Sequence, residues 1–582
     1  MNKQWQVKSE VPVELVNQFP EIPPLLLQLL YNRGLVTEKD ISKFLNPKYE
    51  ELHSPFLFKD MQKATERIWQ AIEQNEKILV YSDYDADAVT ANAVLQQTFR
   101  YLGVAVESYV PDRFTEGYGL NLEAFRKISA EGVKVVITVD CGTNSLDAAE
   151  FCKTEGIDLI ITDHHEITGA IPQAYALINP KNLYDKYPDN QITGVGVAYK
   201  LAKAILSDKL KVIAQIESLV PSTSSGHSST YVDEWDKWLL DLVAIGTVAD
   251  CHSLLGENRI LVHYGLKVLA KTKWLGLRQL LETAGLDFNN LDTYSLGFII
   301  APRINAAGRL EHANVALHLL LAEDFAQAVV LSGQLEQINK RRKDLTGRIV
   351  SEAKAQAELI LDRKILMVSG SDWPKGVVGI VAGRLAEAYR RPVVVLERGE
   401  NESTGSARSV GSFNLVECFR SSEHLLVKYG GHKQAAGLTL RSENLDLFYT
   451  EILKFADTNL IQSTENFLEL EAELSEEDLS LETVKLVEKL APFGADNPQP
   501  KFLIKNAKIM SYRKVGTSGQ HVQVKIAVGE KIVDGIGFNL AYAEPLFSAN
   551  KNFDLAVEPM ADSWNGAEKL KLKIIDIKDA SH

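Results

Sequence analysis

Aspartates and histidines follow four apolar runs in the first half of the chain. Carboxylate oxygens together with an imidazole suit Mn²⁺ or Mg²⁺ better than the thiolate-rich sites that structural zinc prefers. If these groups converge, two cations with one bridging ligand can activate a water molecule and stabilise the leaving oxygen in phosphoester hydrolysis. The candidates are Asp83, Asp85 and Asp87 after residues 77–82, Asp140 after 133–139, Asp163, His164 and His165 after 158–162, and Asp250 at the end of 241–250.

A plainer explanation competes for each of these aspartates taken alone. Aspartate after a strand is common, because it caps helices and forms turns. Several carboxylates that converged without cations, however, would repel one another and raise one another's pKa values. If all of them lie on one sheet edge, the combination favours a metal centre over a set of unrelated caps.

The elements that must position these groups are short buried strands. Runs rich in Val and Ile, too short for helices, alternate with amphipathic helical patterns. This alternation predicts a mostly parallel sheet with helices on both faces. The carboxyl ends of parallel strands meet along one edge, where ligands of such folds bind. The predicted strands are residues 77–82, 104–110, 133–139, 158–162 and 175–179.

The rest of the chain predicts further domains. Residues 325–360 contain no proline and many charges, which predicts a single long connector helix. A second α/β pattern follows, and short alternating runs after residue 502 predict a small β-barrel; the polar stretch 221–230 predicts a loop. We therefore expect an α/β multidomain protein with an N-terminal lead segment (1–45), a parallel-sheet domain (46–324), the connector helix (325–360), a second α/β domain (361–458) and a barrel domain (459–582).

Composition restricts the class of protein without deciding it. The formal net charge of −14 argues against a protein that coats DNA, although a groove can be locally positive and cations offset aspartates. No run of eighteen apolar residues and no signal-peptide core are present, so we expect no membrane partner. Four cysteines without CxxC spacing predict the reducing cytoplasm.

At the candidate residues the chain resembles the DHH phosphoesterase superfamily. The resembling segments are 81–90 (YSDYDADAVT), 139–143 (VDCGT), the triplet 163–165 and 246–250 (GTVAD). Later segments are similar to the RecJ family of single-stranded-DNA exonucleases, and the resemblance runs in order from about residue 20 to 575. These later segments are PDRFTEGYGL (111–120), APRINAAGRL (301–310), GVVGIVAGRL (376–385), SARS (406–409), YGGHKQAAGL (429–438) and PFGADNPQPKF (492–502).

The resemblance implies both a fold and an activity. The fold is a DHH domain, a long helix, a DHH-associated domain and an OB-fold barrel, with the active site in the cleft between the first two domains. The activity is hydrolysis of single-stranded DNA from the 5′ end, dependent on two Mn²⁺ or Mg²⁺ ions, with release of mononucleotides in DNA repair and recombination. The implied partners are single-stranded DNA, a helicase and a single-stranded-DNA-binding protein, with the chain itself a monomer.

The resemblance also assigns roles to the acidic and histidine candidates. His165 would face the scissile phosphate, and Asp163 would orient His164 from behind. The metal ligands would be Asp85 and Asp87 on different ions, Asp140 as the bridge, His164 and Asp250 on the second ion, and Asp83 as a further ligand or a support.

A terminal-phosphate pocket is expected around Ser406 and Arg408. A guanidinium can donate two parallel, charge-assisted hydrogen bonds to a phosphate. The resemblance implies that Arg113 also belongs to this pocket. The glycines before His432 would allow the backbone and that histidine to approach another phosphate.

A segment that reads as a loop supplies Arg303, Asn305 and Arg309 as further DNA contacts. For every arginine, an exposed or domain-bridging salt bridge is the plainer explanation. The family segments favour phosphate contact for Arg303 and Arg408, and they leave Arg309 open.

The chain departs from the family pattern at three positions. Ala88 stands where glycine is usual, which requires a negative φ there; Ser82 stands where glycine is frequent, and Trp373-Pro374 where Trp-His is usual. No proposed metal ligand is lost, so the departures bear on the rate and the substrate fit of the hydrolysis. Two alternative functions also stay open. One is a DHH phosphodiesterase that acts on short oligonucleotides or RNA, and the other is an inactive DHH scaffold.

Overall fold

In the computed structural model the chain folds into two compact units. The larger comprises His53–His252 and Gly256–Ser463, and the smaller comprises Met1–Leu52, Ser253–Leu255 and Thr464–His582. Within the described residues, no helix has the length and apolarity to cross a membrane. The predicted loop at 221–230 lies outside the described residues, which are 3–117, 119–219, 234–460, 467–547, 551–562 and 568–580.

The larger unit begins with a five-stranded, all-parallel sheet. Every residue of Ile78–Ser82 and Val135–Val139 is buried, which requires helices on both faces. The strands in spatial order are Glu107–Tyr109, Ile78–Ser82, Val135–Val139, Asp158–Thr162 and Ala176–Ile178. All five predicted strands are thus present, and the α/β fold class is confirmed.

Helices cover this sheet and extend beyond it. Those near the sheet are Met61–Glu73, Ala86–Tyr101, Leu122–Ala130, Leu146–Glu155, Gly194–Ser207 and Lys209–Leu219. Those that follow are Leu240–Ala249, Gly256–Leu269, Leu275–Thr283, Ala301–Leu310 and Asn314–Leu320. Short helical turns occupy Pro55–Leu57, Trp235–Leu239 and Ser295–Ile300.

A helix of 34 residues, Phe325–Glu358, leads to the second half of the larger unit. The Asp324 side chain caps its start by accepting a hydrogen bond from the Gln327 N–H at 2.8 Å. At about 1.5 Å per residue it is roughly 50 Å long. Its buried residues recur every three or four positions from Ala328 to Ala357, so one stripe of the helix packs along its whole length.

The second α/β region contains a mixed five-stranded sheet. Only Leu366–Gly370 and Val393–Arg398 pair in parallel. The strands in spatial order are Leu426–His432, Ala435–Arg441, Glu402–Arg408, Val393–Arg398 and Leu366–Gly370. Its helices are Lys375–Tyr389, Leu415–Arg420 and Leu445–Asn459, with short turns at Glu423–Leu425 and Ser442–Asn444.

The smaller unit is built on a closed barrel. Phe502–Val515 pairs with both His521–Val528 and Asn552–Asp562, which closes the sheet. Its strands are Ala472–Glu473, Phe502–Val515, His521–Val528, Lys531–Gly537, Asn552–Asp562 and Lys569–Asp579, and its helices are Leu481–Glu488 and the turn Ala541–Phe547.

The amino-terminal residues share the core of this barrel, which the sequence did not predict. Strand Gln4–Val7 pairs in parallel with Phe467–Leu470. Buried leucines of Pro24–Tyr31 join the cluster that contains the barrel residues Val522 and Leu555. The other helices of this segment are Val13–Gln18, Glu38–Leu45 and the turn Tyr49–Glu51.

Candidate metal centre and phosphate pocket

Strand register places three aspartates side by side at one sheet edge. Ser82 aligns with Val139, and Val139 aligns with Thr162. The residues that follow are Asp83, Asp140 and Asp163, so the parallel strands deliver them to adjacent positions. Asp140 adopts a left-handed φ of 58°, and its N–H donates to the Thr162 carbonyl at 2.9 Å.

Asp85 and Asp87 belong to the helix that follows the first of these strands. Asp85 caps Ala86–Tyr101 by accepting a hydrogen bond from the Ala88 N–H at 3.0 Å. The buried carboxylate of Asp87 accepts hydrogen bonds from the N–H groups of Gly194 and Val195 at 2.8 and 3.0 Å. These two amides open the helix Gly194–Ser207, whose positive end favours a carboxylate.

The residues that depart from the family pattern fit this structure. Ala88 lies inside the helix, outside the residues with positive φ, so its side chain causes no strain. The Ser82 hydroxyl accepts a hydrogen bond from Asn92 Nδ2 at 3.0 Å. Pro374 precedes the first residue of Lys375–Tyr389, where its missing N–H costs no helical hydrogen bond.

The imidazole of His164 is the point where the segments meet. Its Nε2 lies 3.0 Å from Asp140 Oδ1, 3.5 Å from Asp250 Oδ2 and 3.9 Å from Asp87 Oδ2. Carboxylates from three other parts of the sequence therefore lie within 4 Å of this nitrogen. Asp85 lies close enough for its charge to raise the pKa values of Asp87, Asp140 and Asp250.

Burial and mutual repulsion act on these carboxylates. Burial, followed by the charges of neighbouring aspartates, holds the pKa values of Asp83, Asp87 and Asp140 well above their usual range. The same two causes raise the pKa of Asp250 to about 7. The cluster is therefore electrostatically unfavourable on its own, and a cation would relieve it.

Several buried polar atoms in the cluster have no hydrogen-bond partner among the described residues. They are Asp83 Oδ1, Asp140 Oδ1 and His164 Nδ1. Buried polar atoms are almost always satisfied in native proteins, so such a concentration points to a ligand. Carboxylates with an imidazole form the donor set that Mn²⁺ and Mg²⁺ sites use, and the residues present fit these ions.

Asp163 supports His165, which differs from the predicted pairing with His164. Its Oδ1 lies 2.7 Å from the ring nitrogen Nδ1 of His165, whereas it contacts only the backbone N–H of His164, at 2.7 Å. The tight turn after the strand explains the pairing with His165. The Asp163 carboxylate accepts hydrogen bonds from the backbone N–H groups of both His164 and His165, and this turn brings the His165 ring close to Asp163. Burial opposes a charged ring, but the hydrogen bond to Asp163 raises the pKa of His165 to about 9.

His252 also lies in this cluster, although it is not among the residues that the sequence pattern predicted. Its Nε2 is 3.3 Å from Asp250 Oδ2, and its ring centroid is 4.8 Å from that of His164. Its position two residues after Asp250 was the available signal. The sequence also did not predict that the backbone amides of Gly194 and Val195 bind the Asp87 carboxylate, because any residue type except proline can donate a backbone hydrogen bond.

Arg113, Arg309 and Arg408 lie close together in the larger unit, and among the described residues no ion pair joins any of them to a carboxylate. Arg408 Nη1 donates to Ser406 Oγ at 2.9 Å. Burial, and then repulsion by Arg113, lowers the pKa of both Arg309, to about 10, and Arg408. Unpaired, partly buried positive charge of this kind favours an anion.

Arg303 and Asn305 do not belong to this pocket, and the prediction that they lie in a loop is wrong. Residues Ala301–Leu310 form a helix with a buried face. Arg303 Nε pairs with Glu336 Oε2 at 2.6 Å, and Asn305 Oδ1 accepts a hydrogen bond from the Ala86 N–H at 2.9 Å. Arg303 thus forms a salt bridge between two helices, which is the plainer of the two explanations for this arginine. Asn305 fixes the start of the helix that carries Asp87.

His432 is exposed at the end of the hairpin strand Leu426–His432. It pairs with Ala435, which pairs in turn with Arg408 on the next strand. His432 and Arg408 therefore lie at the same end of this sheet, in neighbouring register positions.

Fold and site together define a DHH-type protein. Three family models match the chain: the DHH family N-terminal domain over residues 77–247, the DHHA1 domain over 362–458 and the RecJ OB domain over 470–576. The chain is 36% identical to the single-stranded-DNA-specific exonuclease RecJ of Bacillus subtilis over 98% of this chain and 70% of that protein. It is 30% identical to the Escherichia coli RecJ over 99% of this chain and the whole of that protein. The chain belongs to the RecJ family.

Solved structures agree with this assignment. The crystal structure of Thermus thermophilus RecJ in complex with Mn²⁺ superposes with a TM-score of 0.81, at 28% identity, over 99% of this chain and 79% of that one. A structure of exonuclease RecJ bound to manganese gives a TM-score of 0.59 at 32% identity, over 70% of this chain and 96% of that one.

Proposed function

We propose that this chain is a single-stranded-DNA-specific exonuclease that hydrolyses phosphodiester bonds in the 5′-to-3′ direction with Mn²⁺ or Mg²⁺. The observation that carries the proposal is the convergence of Asp87, Asp140 and Asp250 on His164 Nε2 within 4 Å. Its relatives of 30–36% identity are named single-stranded-DNA-specific exonucleases. Repair and recombination are the processes that consume single-stranded ends.

The proposed metal ligands are the acidic residues of the cluster and one histidine. Two bound cations would lower the pKa of an attacking water and stabilise the leaving oxygen. Asp85, Asp87 and Asp140 would hold these ions, with His164 and Asp250 on one of them and Asp83 as a supporting carboxylate.

His165 is the proposed contact to the scissile phosphate. Asp163 fixes its ring through the Nδ1 hydrogen bond, which directs Nε2 away from Asp163. A proton on Nε2 can then be donated to a phosphate oxygen as negative charge develops there. Asp163 is thus the positioning residue for His165 in this proposal.

Arg113, Arg309, Ser406 and Arg408 are proposed to bind the 5′-terminal phosphate, with His432 nearby on the same sheet. Gly379 supports this, because a Cβ atom there would lie 3.3 Å from Ser406 Oγ and 3.4 Å from Arg408 Nη2. Glycine therefore leaves the two phosphate-binding side chains room. A pocket that binds a 5′-terminal phosphate selects the 5′ end of a strand for entry to the active site, and this supports hydrolysis in the 5′-to-3′ direction.

Two further surfaces, one on each unit, are proposed to contact single-stranded DNA. On the connector helix, Lys340 and Arg341 line a shallow pocket together with Arg348. On the barrel, the exposed ring of Tyr512 lies in a groove with the cations of Arg513 and Lys525. Basic side chains that contact the DNA backbone, together with aromatic rings on which bases stack, are typical of proteins that bind single strands without sequence preference.

The finer organisation is proposed on the same basis. The domain limits are a lead segment at 1–45, a DHH domain at 46–324, the connector at 325–360, a DHH-associated domain at 361–458 and an OB domain at 459–582. We also propose a cytoplasmic monomer that works with a helicase and a single-stranded-DNA-binding protein. The four free cysteines support the compartment, and light scattering and co-purification would test the rest.

Digestion of end-labelled DNA tests the activity. We expect mononucleotides from the 5′ end of single strands with Mn²⁺ or Mg²⁺, little degradation of blunt duplexes, and none with chelator. Release from the 3′ end, or activity on dinucleotides alone, would contradict the proposal. Asp140→Asn should abolish turnover, and a protein with no activity and no metal binding would instead be a scaffold.

A further inference from the structure

His252 is a largely buried imidazole to which the roles above assign no function. One donor atom from each of His164, Asp250 and His252 lies within 4.8 Å of the other two. Ligands about 2.1 Å from an ion of this size stand roughly 3 to 4 Å apart. The three side chains therefore reach a single ion with small adjustments of their positions.

The surrounding backbone fixes the ring of His252. The backbone of Gln191 hydrogen-bonds to the ring, and the Gln191 carbonyl itself accepts a hydrogen bond from Asn258 Nδ2 at 2.6 Å. Metal-binding histidines typically donate their second ring N–H to a carbonyl or carboxylate, which orients the coordinating nitrogen. In His252 the Nε2 atom faces the Asp250 carboxylate at 3.3 Å.

We propose that His252 is a metal ligand, which gives the ion held by His164 and Asp250 a second imidazole nitrogen. The inference rests on the proposed function, because it adds a ligand to one of the proposed ion sites. Imidazole nitrogen suits transition ions such as Mn²⁺, whereas Mg²⁺ prefers oxygen ligands and water. His252 therefore biases this position toward Mn²⁺ over Mg²⁺.

Binding of Mn²⁺ alone to the full chain tests the proposal without any turnover. Electron paramagnetic resonance titration measures the affinity, and electron spin-echo modulation reports coordinated imidazole nitrogen. In His252→Gln we expect at least about tenfold weaker binding of one ion. Substitution of a residue that only hydrogen-bonds to a metal ligand typically lowers metal affinity by about 10- to 100-fold, and loss of a ligand should cost at least as much. We also expect shallower nitrogen modulation and a smaller preference for Mn²⁺ over Mg²⁺ in competition.

His318→Gln is the matched control, because His318 is an exposed histidine on the helix Asn314–Leu320. It should leave affinity and modulation at the wild-type values. Circular dichroism of each variant establishes that it is folded. A folded His252→Gln protein with wild-type affinity and modulation would overturn the inference.

The wild-type spectrum provides a check that needs no variant. Two imidazoles on one Mn²⁺ support the inference. Two bound ions, active hydrolysis of single strands and a single imidazole per ion refute the role of His252 and leave the proposed function intact. Failure of the wild-type chain to bind Mn²⁺ would refute the proposed function as well.

Discussion

Substitution of Gly194 by alanine tests whether the backbone beside the cluster positions its carboxylates. A Cβ atom at residue 194 would lie 2.4 Å from Asp140 Oδ1 and 2.6 Å from Asp140 Cγ. Ordinary contact begins near 3.4 Å, so Asp140 must move by about 1 Å. A misplacement of about 1 Å can cost on the order of 100-fold in rate, although no ligand has been removed.

The assay is 5′-end release from labelled single-stranded DNA at saturating Mn²⁺, with Mn²⁺ affinity measured in parallel. We expect Gly194→Ala to lower turnover about 100-fold and to lose stability by about 1–3 kcal/mol through overpacking. Gly383→Ala is the control, since a Cβ there meets nothing within 4 Å. Turnover and Mn²⁺ affinity of Gly194→Ala that match the control would refute the reasoning.

Three further substitutions test other parts of the structure. Asp140→Asn should abolish turnover. It should also raise the free energy of unfolding of the metal-free protein, because it removes a carboxyl group whose ionisation is opposed by burial and then by neighbouring aspartates. Urea titration with chelator measures this, and a less stable variant would contradict it. Arg408→Gln should reduce the preference for 5′-phosphorylated over 5′-hydroxyl strands about 10- to 100-fold, from the roughly 1.5–3 kcal/mol of a charged hydrogen bond, whereas Arg303→Gln should destabilise the fold and leave that preference unchanged. Asp241→Asn tests pH-dependent stability: burial raises the pKa of Asp241 to about 7, so its stabilising contribution is complete below the unfolded-state pKa near 4 and is lost as the pH rises through 7. The stability of wild type relative to Asp241→Asn should therefore fall between pH 5 and pH 8, and a constant difference would show that Asp241 does not titrate in this range.

The sequence predicted that Asp140 and His164 lie close together, because both follow the ends of neighbouring parallel strands. Runs of Val and Ile specify the buried strands, and parallel pairing brings whatever follows them to one edge. The pattern of strands and following residues is therefore sufficient to place Asp140 beside His164. The fold class followed from the same alternation of strands and helices.

Roles that depend on packing were harder to predict. Arg303 was expected to contact DNA, but its partner Glu336 lies on another helix, and only tertiary contact reveals the pair. Pro302 near the start of Ala301–Leu310 was an available signal for a helix there. Asp163 was assigned to the wrong histidine because the tight turn after its strand decides which ring reaches the carboxylate.

The pairing of the first strand with Phe467–Leu470 has a consequence for synthesis on the ribosome. The leucines of Pro24–Tyr31 are translated early, but the barrel that buries them is complete only after the strand Lys569–Asp579. At roughly 5–20 residues per second, this apolar helix waits about half a minute to two minutes for its partner surface. The nascent chain must be protected from aggregation during that interval, so shortage of chaperones should reduce the yield of this protein more than mutation of its exposed loops.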